Sequence, residues 1–440
     1  MLPAFGGLVW TLLAFVLALS IIVAVHEYGH YIVGRWSGIH AEVFSLGFGP
    51  VVYSRIDKRG TRWQLAALPF GGFVKFLGDA DAASGKDGAK ISNLTDAEKR
   101  RTMHGAPLWA RAATVAAGPI FNFILSIVVF MGLFLAYGVT ADQPVIGSMK
   151  PLPFEGQSLL PGDQILTVAG IDTPDFDTFA KVTKDLPVAA TVDYLVQRGD
   201  EKLAIIGPYP SPPYVDGVQP RSGASTAGII AGDVIVAVNG TAVSAFEEVR
   251  TAVGASDGKP LQFKVWRDGS TFDVAMTPQR RDLPKDGGGF ETRWLVGMSG
   301  GLMFVPELRT PGVFESASLA VERTWISGVT NLSFLWNIVV GNVSSCNVSG
   351  PIGIAKVSGD AARQGLDSFI MLIALLSTSV GLLNLFPIPV LDGGHLVFHA
   401  FEAVTGKPPS DRALRVLMGI GLSALLALMA FALTNDIFCP

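Results

Sequence analysis

Residues 26–30 read His-Glu-Tyr-Gly-His and sit inside an apolar run, ALSIIVAV before and YIV after, of membrane-span length. A charge at the centre of a membrane helix costs about 2.5–3.5 kcal/mol on insertion scales unless it is paired or bound to an ion, so His26, Glu27 and His30 together need a reason. The H-E-x-x-H spacing supplies one. Positions i and i+4 share a helix face, so His26 and His30 can ligate one metal while Glu27 sits beside the reacting water. The bland alternative is two packed core histidines, and the rarity of the pattern within a span weighs against it. The implied chemistry is zinc-dependent peptide hydrolysis within the membrane.

Composition agrees with a membrane protein that carries a soluble part. The 440-residue chain is 49% hydrophobic and 16% charged, with mean hydropathy +0.43, too apolar for an ordinary soluble protein although its middle third is polar. A net charge of −4 gives no reason to expect nucleic acid as a partner. No Lys or Arg precedes Arg35, so the first apolar run lacks the basic start of a cleavable signal peptide and is expected to remain as a helix. From Arg35 to Arg111 there are 12 Lys/Arg against 7 Asp/Glu, which places that stretch on the cytoplasmic side and both termini outside. The two cysteines, Cys346 and Cys439, then fall on the outer side, where either a disulfide or two isolated thiols is open.

The polar middle contains a repeat. LLPGDQILTVAGIDTPDF (159–176) and IIAGDVIVAVNGTAVSAF (229–246) match at an offset of 70, pairing Gly162 with Gly232, Asp163 with Asp233, Gly170 with Gly240 and Phe176 with Phe246. A G-D-x-I-x-x-V-x-G core is a tight turn feeding a half-buried strand and a second turn, and two copies of one β-rich module is the economical reading. The core resembles PDZ domains, which capture extended peptide ends by adding a strand to a sheet edge. A spacer or steric plug is the alternative use. The first copy departs from the second over 151–158, which puts its peptide groove in doubt.

The expected fold is a polytopic α-helical membrane protein with four transmembrane helices and two PDZ-like domains between helices two and three. Its parts are a first span at 1–37 with the H-E-x-x-H pattern, then a cytoplasmic loop at 38–111 carrying a membrane-associated β-hairpin near 61–77 that turns at Pro-Phe-Gly-Gly. A second span at 112–139 follows, then the modules at 143–208 and 212–280. An outer-side connector at 281–367 includes an amphipathic helix near 314–342, interrupted by Glu322 and Arg323 and so assigned to the membrane surface. The third span is 368–395, a cytoplasmic connector 396–412 and the fourth span 413–434.

Two histidines leave a catalytic zinc one protein ligand short. The candidate is Asp392 in NLFPIPVLDGGH (384–395), where two prolines and two glycines predict a broken helix, tolerated at membrane depth where it lines a cavity. His395 is the rival ligand, and helix capping or a water-facing carboxylate is the plain alternative for Asp392.

HEYGH, ALPFGGFVKFLGD, AGPIFN and NLFPIPVLDGGH, in that order, resemble the site-2 protease family of intramembrane zinc metalloproteases, and with two PDZ-like modules the sigma-E-regulating branch of bacterial inner membranes. The resemblance implies one Zn2+ per chain held by His26, His30 and Asp392, with Glu27 as general base. It further implies single-span membrane substrates, namely a pre-trimmed anti-sigma factor and remnant signal peptides. Gly71, Gly72 and Phe73 would hold substrate by strand addition, and Asn384 and Asn122 would bind freed substrate backbone, with helix packing as the alternative for Asn122. A membrane-anchored peptide-binding protein with a vestigial site, or a metal transporter, stays open, but neither needs a base such as Glu27 beside the ligands.

Overall fold

The computed structural model describes residues 2–80, 88–154, 158–219, 222–284 and 290–438. The chain divides into two units, 1–135 with 312–336 and 345–440, and 136–311 with 337–344.

The first unit is helical around one small sheet. It opens with α1 (Leu2–Trp36), β1 (Ala41–Ile56) and β2 (Arg62–Phe76), continues through the short α2 (Gly88–Ser92) and α3 (Asp96–Lys99), and reaches α4 (Leu108–Tyr137). The stretch expected to fold back on itself near 61–77 instead runs on as β2, and its partner is the upstream β1. Residues 41–46 of β1 lie between the two halves of β2, pairing with 72–76 (Ala41↔Phe76 to Leu46↔Gly72) and with 62–65 (Val43↔Arg62 to Leu46↔Leu65). The second half of β1 pairs with the start of β2, Val51↔Ala66 to Ile56↔Arg62. Local turn chemistry marked the bend, but not the distant strand that satisfies the backbone on either side of it.

The second unit holds the repeat. Its elements are β3 (Val139–Thr140), β4 (Ile146–Met149), β5 (Gln164–Val168), β6 (Ile171–Asp172), α5 (Phe176–Asp185), β7 (Thr191–Arg198) and β8 (Glu201–Pro208). Next come β9 (Val215–Val218), α6 (Gly223–Thr226), β10 (Val234–Val238), β11 (Thr241–Ala242), α7 (Phe246–Gly254), β12 (Leu261–Arg267) and β13 (Ser270–Met276). β14 (Gln279–Pro284), β15 (Phe290–Leu295), β16 (Met298–Gly300), β17 (Phe304–Pro306) and β18 (Leu308–Arg309) complete it. The sheet orders β6-β5-β7-β8 and β11-β10-β12-β13 are equivalent, as the offset of 70 requires. Each repeated aspartate has one job. Asp163 receives Arg198 Nε (2.7 Å) and Nη2 (2.8 Å) and the Leu160 N–H (2.8 Å), while Asp233 receives Arg267 Nε (2.5 Å) and Nη2 (2.7 Å) and the Ile230 N–H (3.0 Å). Such bidentate, charge-assisted bonds lock the turn that launches each central strand. The returning chain then serves both copies, β16 pairing with β9 and β17 with β4.

Back in the first unit the chain forms α8 (Val313–Val339), α9 (Pro351–Gln364), α10 (Leu366–Asn384), α11 (Asp392–Thr405) and α12 (Asp411–Phe438). Four helices are long and apolar enough to cross a membrane, Gly7–Trp36, Leu108–Tyr137, Leu366–Asn384 and Arg412–Phe438; α8 is not among them. Within the span expected at 368–395, α10 ends at Asn384 and α11 restarts at Asp392, the break lying where Pro387 and Pro389 cannot continue a helix. α11 runs on into the stretch expected as a connector at 396–412. Cys346 is disulfide-bonded, and Cys439 lies outside the described residues.

Candidate active site

Small residues decide how close α1 and α4 come. A Cβ on Gly29 would lie 2.6 Å from the Ala117 carbonyl oxygen, and one on Gly118 would lie 2.3 Å from His30 Nε2 and 2.8 Å from His26 Cε1. The α4 backbone therefore rests directly against both imidazoles, the close approach that small residues permit between membrane helices. The same helix orients them. His30 Nδ1–H donates to the Thr114 carbonyl at 2.8 Å. Asn122, fully buried, stands 3.1 Å from His26 Nδ1 through its carboxamide, and a half-turn of that group presents Oδ1, which has no other partner, to the Nδ1–H. With both Nδ1 atoms so engaged, both Nε2 lone pairs face one point, 3.1 Å apart.

Asp392 reaches that point because the chain breaks after α10 and restarts. Gly393 and Gly394 lie in the first turn of α11, folded so tightly onto residues 385–389 that a Cβ at Gly393 would lie 2.3 Å from the Leu385 and Phe386 carbonyl oxygens. One at Gly394 would lie 2.3 Å from that of Ile388. Glycine is the residue that fits there. Asp392 Oδ2 then stands 3.1 Å from His26 Nε2, and Oδ1 3.5 Å from His30 Nε2. The three ligating atoms lie within 4.8 Å of one another, the one such group of three among the described residues. Ligands about 2.0–2.1 Å from a tetrahedral zinc are about 3.3 Å apart, so the donor set fits that ion. Buried Asp392 Oδ2 has no hydrogen-bond partner, the orphan that a cation satisfies. Farther along α11, Glu402 accepts from Arg111 Nη1 (2.9 Å) and Nη2 (2.6 Å), tying the helix of Asp392 to the helix that orients the histidines.

A cavity of about 640 Å³ opens on these donors and is lined also by Glu27, Gly72, Phe73, Asn384 and His395. The strand lies on the base: a Cβ at Gly72 would lie 3.1 Å from Glu27 Cγ, and Glu27 accepts a hydrogen bond from the Val74 backbone. Gly72, Phe73 and Asn384 thus stand on the wall where substrate was expected, although Asn384 Nδ2 is engaged with the Val380 carbonyl at 3.0 Å. Gly71 is not on that wall; a Cβ there would meet Phe48 at 2.6 Å. Asn122 is fully buried behind His26, the packed position that was the alternative to a substrate contact. His395 lines the cavity outside the donor triad. Thr114, Gly118, Val74 and the Arg111–Glu402 pair carry no spacing signal of their own; AGPIFN brackets two of the site's positions, Gly118 and Asn122, without assigning their roles.

The chain matches the model of peptidase family M50 over residues 14–428. It is 36% identical, over 99% of its length and 98% of the relative's, to a protein of Agrobacterium fabrum provisionally named a zinc metalloprotease. It is 34% identical over 98% of its length and 99% of the relative's to the regulator of sigma E protease of Salmonella typhimurium.

Proposed function

The chain belongs to peptidase family M50 and is a zinc metalloprotease of the site-2 type, and on that premise we propose that it cleaves single-span membrane proteins within the bilayer. The observation that carries this is the meeting of His26, His30 and Asp392 at one point of a cavity that also holds Glu27.

In this reading His26 and His30 would hold one zinc through Nε2 and Asp392 through its carboxylate. Zinc in such a site supplies Lewis acidity, polarising a carbonyl and acidifying water. Glu27 accepts the proton of the attacking water and passes it to the leaving amine. Thr114 and Asn122 keep the two imidazoles in the Nδ1–H tautomer throughout. A helical substrate hides its carbonyls, so it must be held extended. The 72–76 segment is an edge of its sheet, paired on one side with 41–46, and its Gly72 and Phe73 border the cavity. Strand addition there would deliver an unwound peptide past Glu27. The absence of a side chain at Gly72 lets the strand lie directly against α1, since a Cβ there would meet the Ser45 carbonyl oxygen at 2.8 Å and Glu27 Cγ at 3.1 Å.

The finer assignments are proposals of the same kind. The two repeated modules are read as PDZ-like domains that take peptide ends. The relative named as the regulator of sigma E protease suggests an anti-sigma-factor-like substrate and an inner-membrane location, with modules and termini on the periplasmic side. The test is cleavage of a single-span reporter in proteoliposomes by the zinc-loaded protein and by Glu27→Gln. Loss of a base of this kind costs about 10²–10⁴-fold in rate with zinc retained. Turnover of the variant within tenfold of the parent would defeat the reading.

A further inference from the structure

A second cavity, of about 410 Å³, opens where α1 ends. Its wall includes Arg35 from the last turn of α1, His40 just before β1, Arg59 from the β1–β2 turn, Arg101 after α3, and the hydroxyl-bearing Tyr31 and Thr61. Three arginines line it from separate segments, and among the described residues none of them forms an ion pair with a carboxylate. The Asp57 carboxylate beside it is held by other donors. Asp57 Oδ1 accepts the Arg59 N–H (2.8 Å) and the Thr61 N–H (3.0 Å), and Oδ2 accepts Trp63 Nε1–H (3.2 Å) and the Tyr31 hydroxyl (3.4 Å). Arg35 Nη1 donates to the Tyr31 hydroxyl at 2.9 Å, which aims it without neutralising it. Burial and then Arg101 lower the pKa of His40, against the pull of Glu42 and Asp57.

α1 is the first of the four candidate spans and its window closes at Trp36, which is 75% exposed. An exposed Trp beside Arg35 at a span end marks the headgroup level, where indole and guanidinium both settle. A site built there has one abundant anion within reach, the phosphate of a lipid. Planar guanidinium forks match phosphate oxygens in pairs, and a cavity of this size falls within the range of small-molecule sites.

We propose that the Arg35–Arg59–Arg101 cavity binds phosphate, and specifically the headgroup of an anionic phospholipid at the membrane surface. Lipid held there grips the end of α1 just past His30 and braces the β1–β2 turn against it, so the site is a docking point for lipid within the protease itself. It does not depend on the proposed substrate.

The experiment is native mass spectrometry of the full-length, zinc-loaded protein in detergent, titrated with phosphatidylglycerol or phosphatidylcholine, with inorganic phosphate as a separate competitor. One phosphatidylglycerol should be retained in preference to phosphatidylcholine. Each arginine near an anionic lipid contributes about 1 kcal/mol, a factor of about five, so Arg59→Gln with Arg101→Gln should weaken retention about 25-fold. Arg55→Gln, exposed on the same sheet but outside the cavity, should leave it unchanged. Zinc content, equal in all variants, reports that they are folded. Equal retention of phosphatidylglycerol by parent and double variant would overturn the proposal. Competition by inorganic phosphate at these arginines with no lipid preference would overturn the lipid assignment.

Discussion

Gly118→Ala should empty the metal site while leaving the protein folded. The added methyl would sit 2.3 Å from His30 Nε2, 2.5 Å from its Cε1 and 2.8 Å from His26 Cε1. Non-bonded carbon contacts settle at about 3.5–4.0 Å, so the imidazole of His30 must move by about 1 Å. It has little freedom to do so, because its Nδ1–H is fixed to the Thr114 carbonyl at 2.8 Å. Zinc ligands tolerate displacements of about 0.2 Å, and loss of an orienting partner alone costs about 10–100-fold in affinity. A ligand pushed off by several times that tolerance should cost at least about 100-fold. The assay is zinc per chain after graded chelator challenge, with helicity followed by circular dichroism. Gly132→Ala, on the same helix with nothing within 4 Å of its Cβ position, is the matched control and should keep its zinc. A Gly118→Ala protein as chelator-resistant as the parent would refute the claim that the α4 backbone sets the imidazole positions.

Asn122→Leu removes the carboxamide behind His26 and should weaken zinc by about 10–100-fold while Gln at Asn384 leaves zinc unchanged; metal titration separates an orienting role from a substrate contact. In the first repeated module, burial pushes the Asp163 pKa up, but the Arg198 hydrogen bonds and the Leu160 N–H hold it below its ordinary value. A depressed folded-state pKa gives stability that is present at neutral pH and lost as pH falls below about 4, where the unfolded carboxyl protonates. Asp163→Asn should therefore cost about 1.5–3 kcal/mol near pH 7 and progressively less in acid, read from hydrogen exchange of β5 and β7. An equal loss at both pH values would remove the ion pair from the argument.

What the sequence could reveal followed the range of the physics. The spacing of His26, Glu27 and His30 is a local fact of helix geometry, so one face of the site was legible from five residues. Asp392 was legible for a different reason: Pro387, Pro389, Gly393 and Gly394 announce a break, and a break in an apolar stretch needs a purpose. The pairing of β2 with β1 was not legible, because a strand's partner is chosen by packing across distance and Pro69–Gly72 resembled a local turn. β16 and β17 closing two modules in succession is hidden for the same reason, since three-residue strands carry no period. Asn122 was singled out with two uses open, a substrate contact or helix packing, and its neighbour was not named. Its place on α4 was readable, but which way the helix turns it depends on the Gly29–Gly118 contact, a tertiary fact.

The parity of the membrane crossings now has a structural argument behind it. His30 meets Thr114 and His26 meets Asn122, so α4 runs antiparallel to α1. Phe369 and Ile373, early in α10, pack with Ala14, Ala18 and Ile22 of α1, while Asp392, beyond its end, meets His26 and His30; α10 therefore runs parallel to α1. α9 fixes the shared end. Arg363 donates to the Gly7 carbonyl at 3.0 Å, and the Asp436 carboxylate near the end of α12 accepts from Gly350 (3.0 Å), Ile352 (3.0 Å) and Gly353 (3.1 Å), capping the start of α9. The beginnings of α1 and α10 and the end of α12 thus lie at one level, the side to which α4 delivers the chain. Any segment between α4 and α10 must cross an even number of times, so α8, although 27 residues long, cannot make a single crossing. Its Val321, Trp325, Ile326, Val329, Leu332 and Trp336 are exposed, and we propose that this apolar face lies on or against the bilayer. Single cysteines at Ser318 and Asn342, both exposed, in a background free of other cysteines should accept a membrane-impermeant thiol reagent from the same side, the side that also labels a tag at the N-terminus. Labelling of the pair from opposite sides would break the four-crossing arrangement, and with it the route by which Asp392 reaches the two histidines.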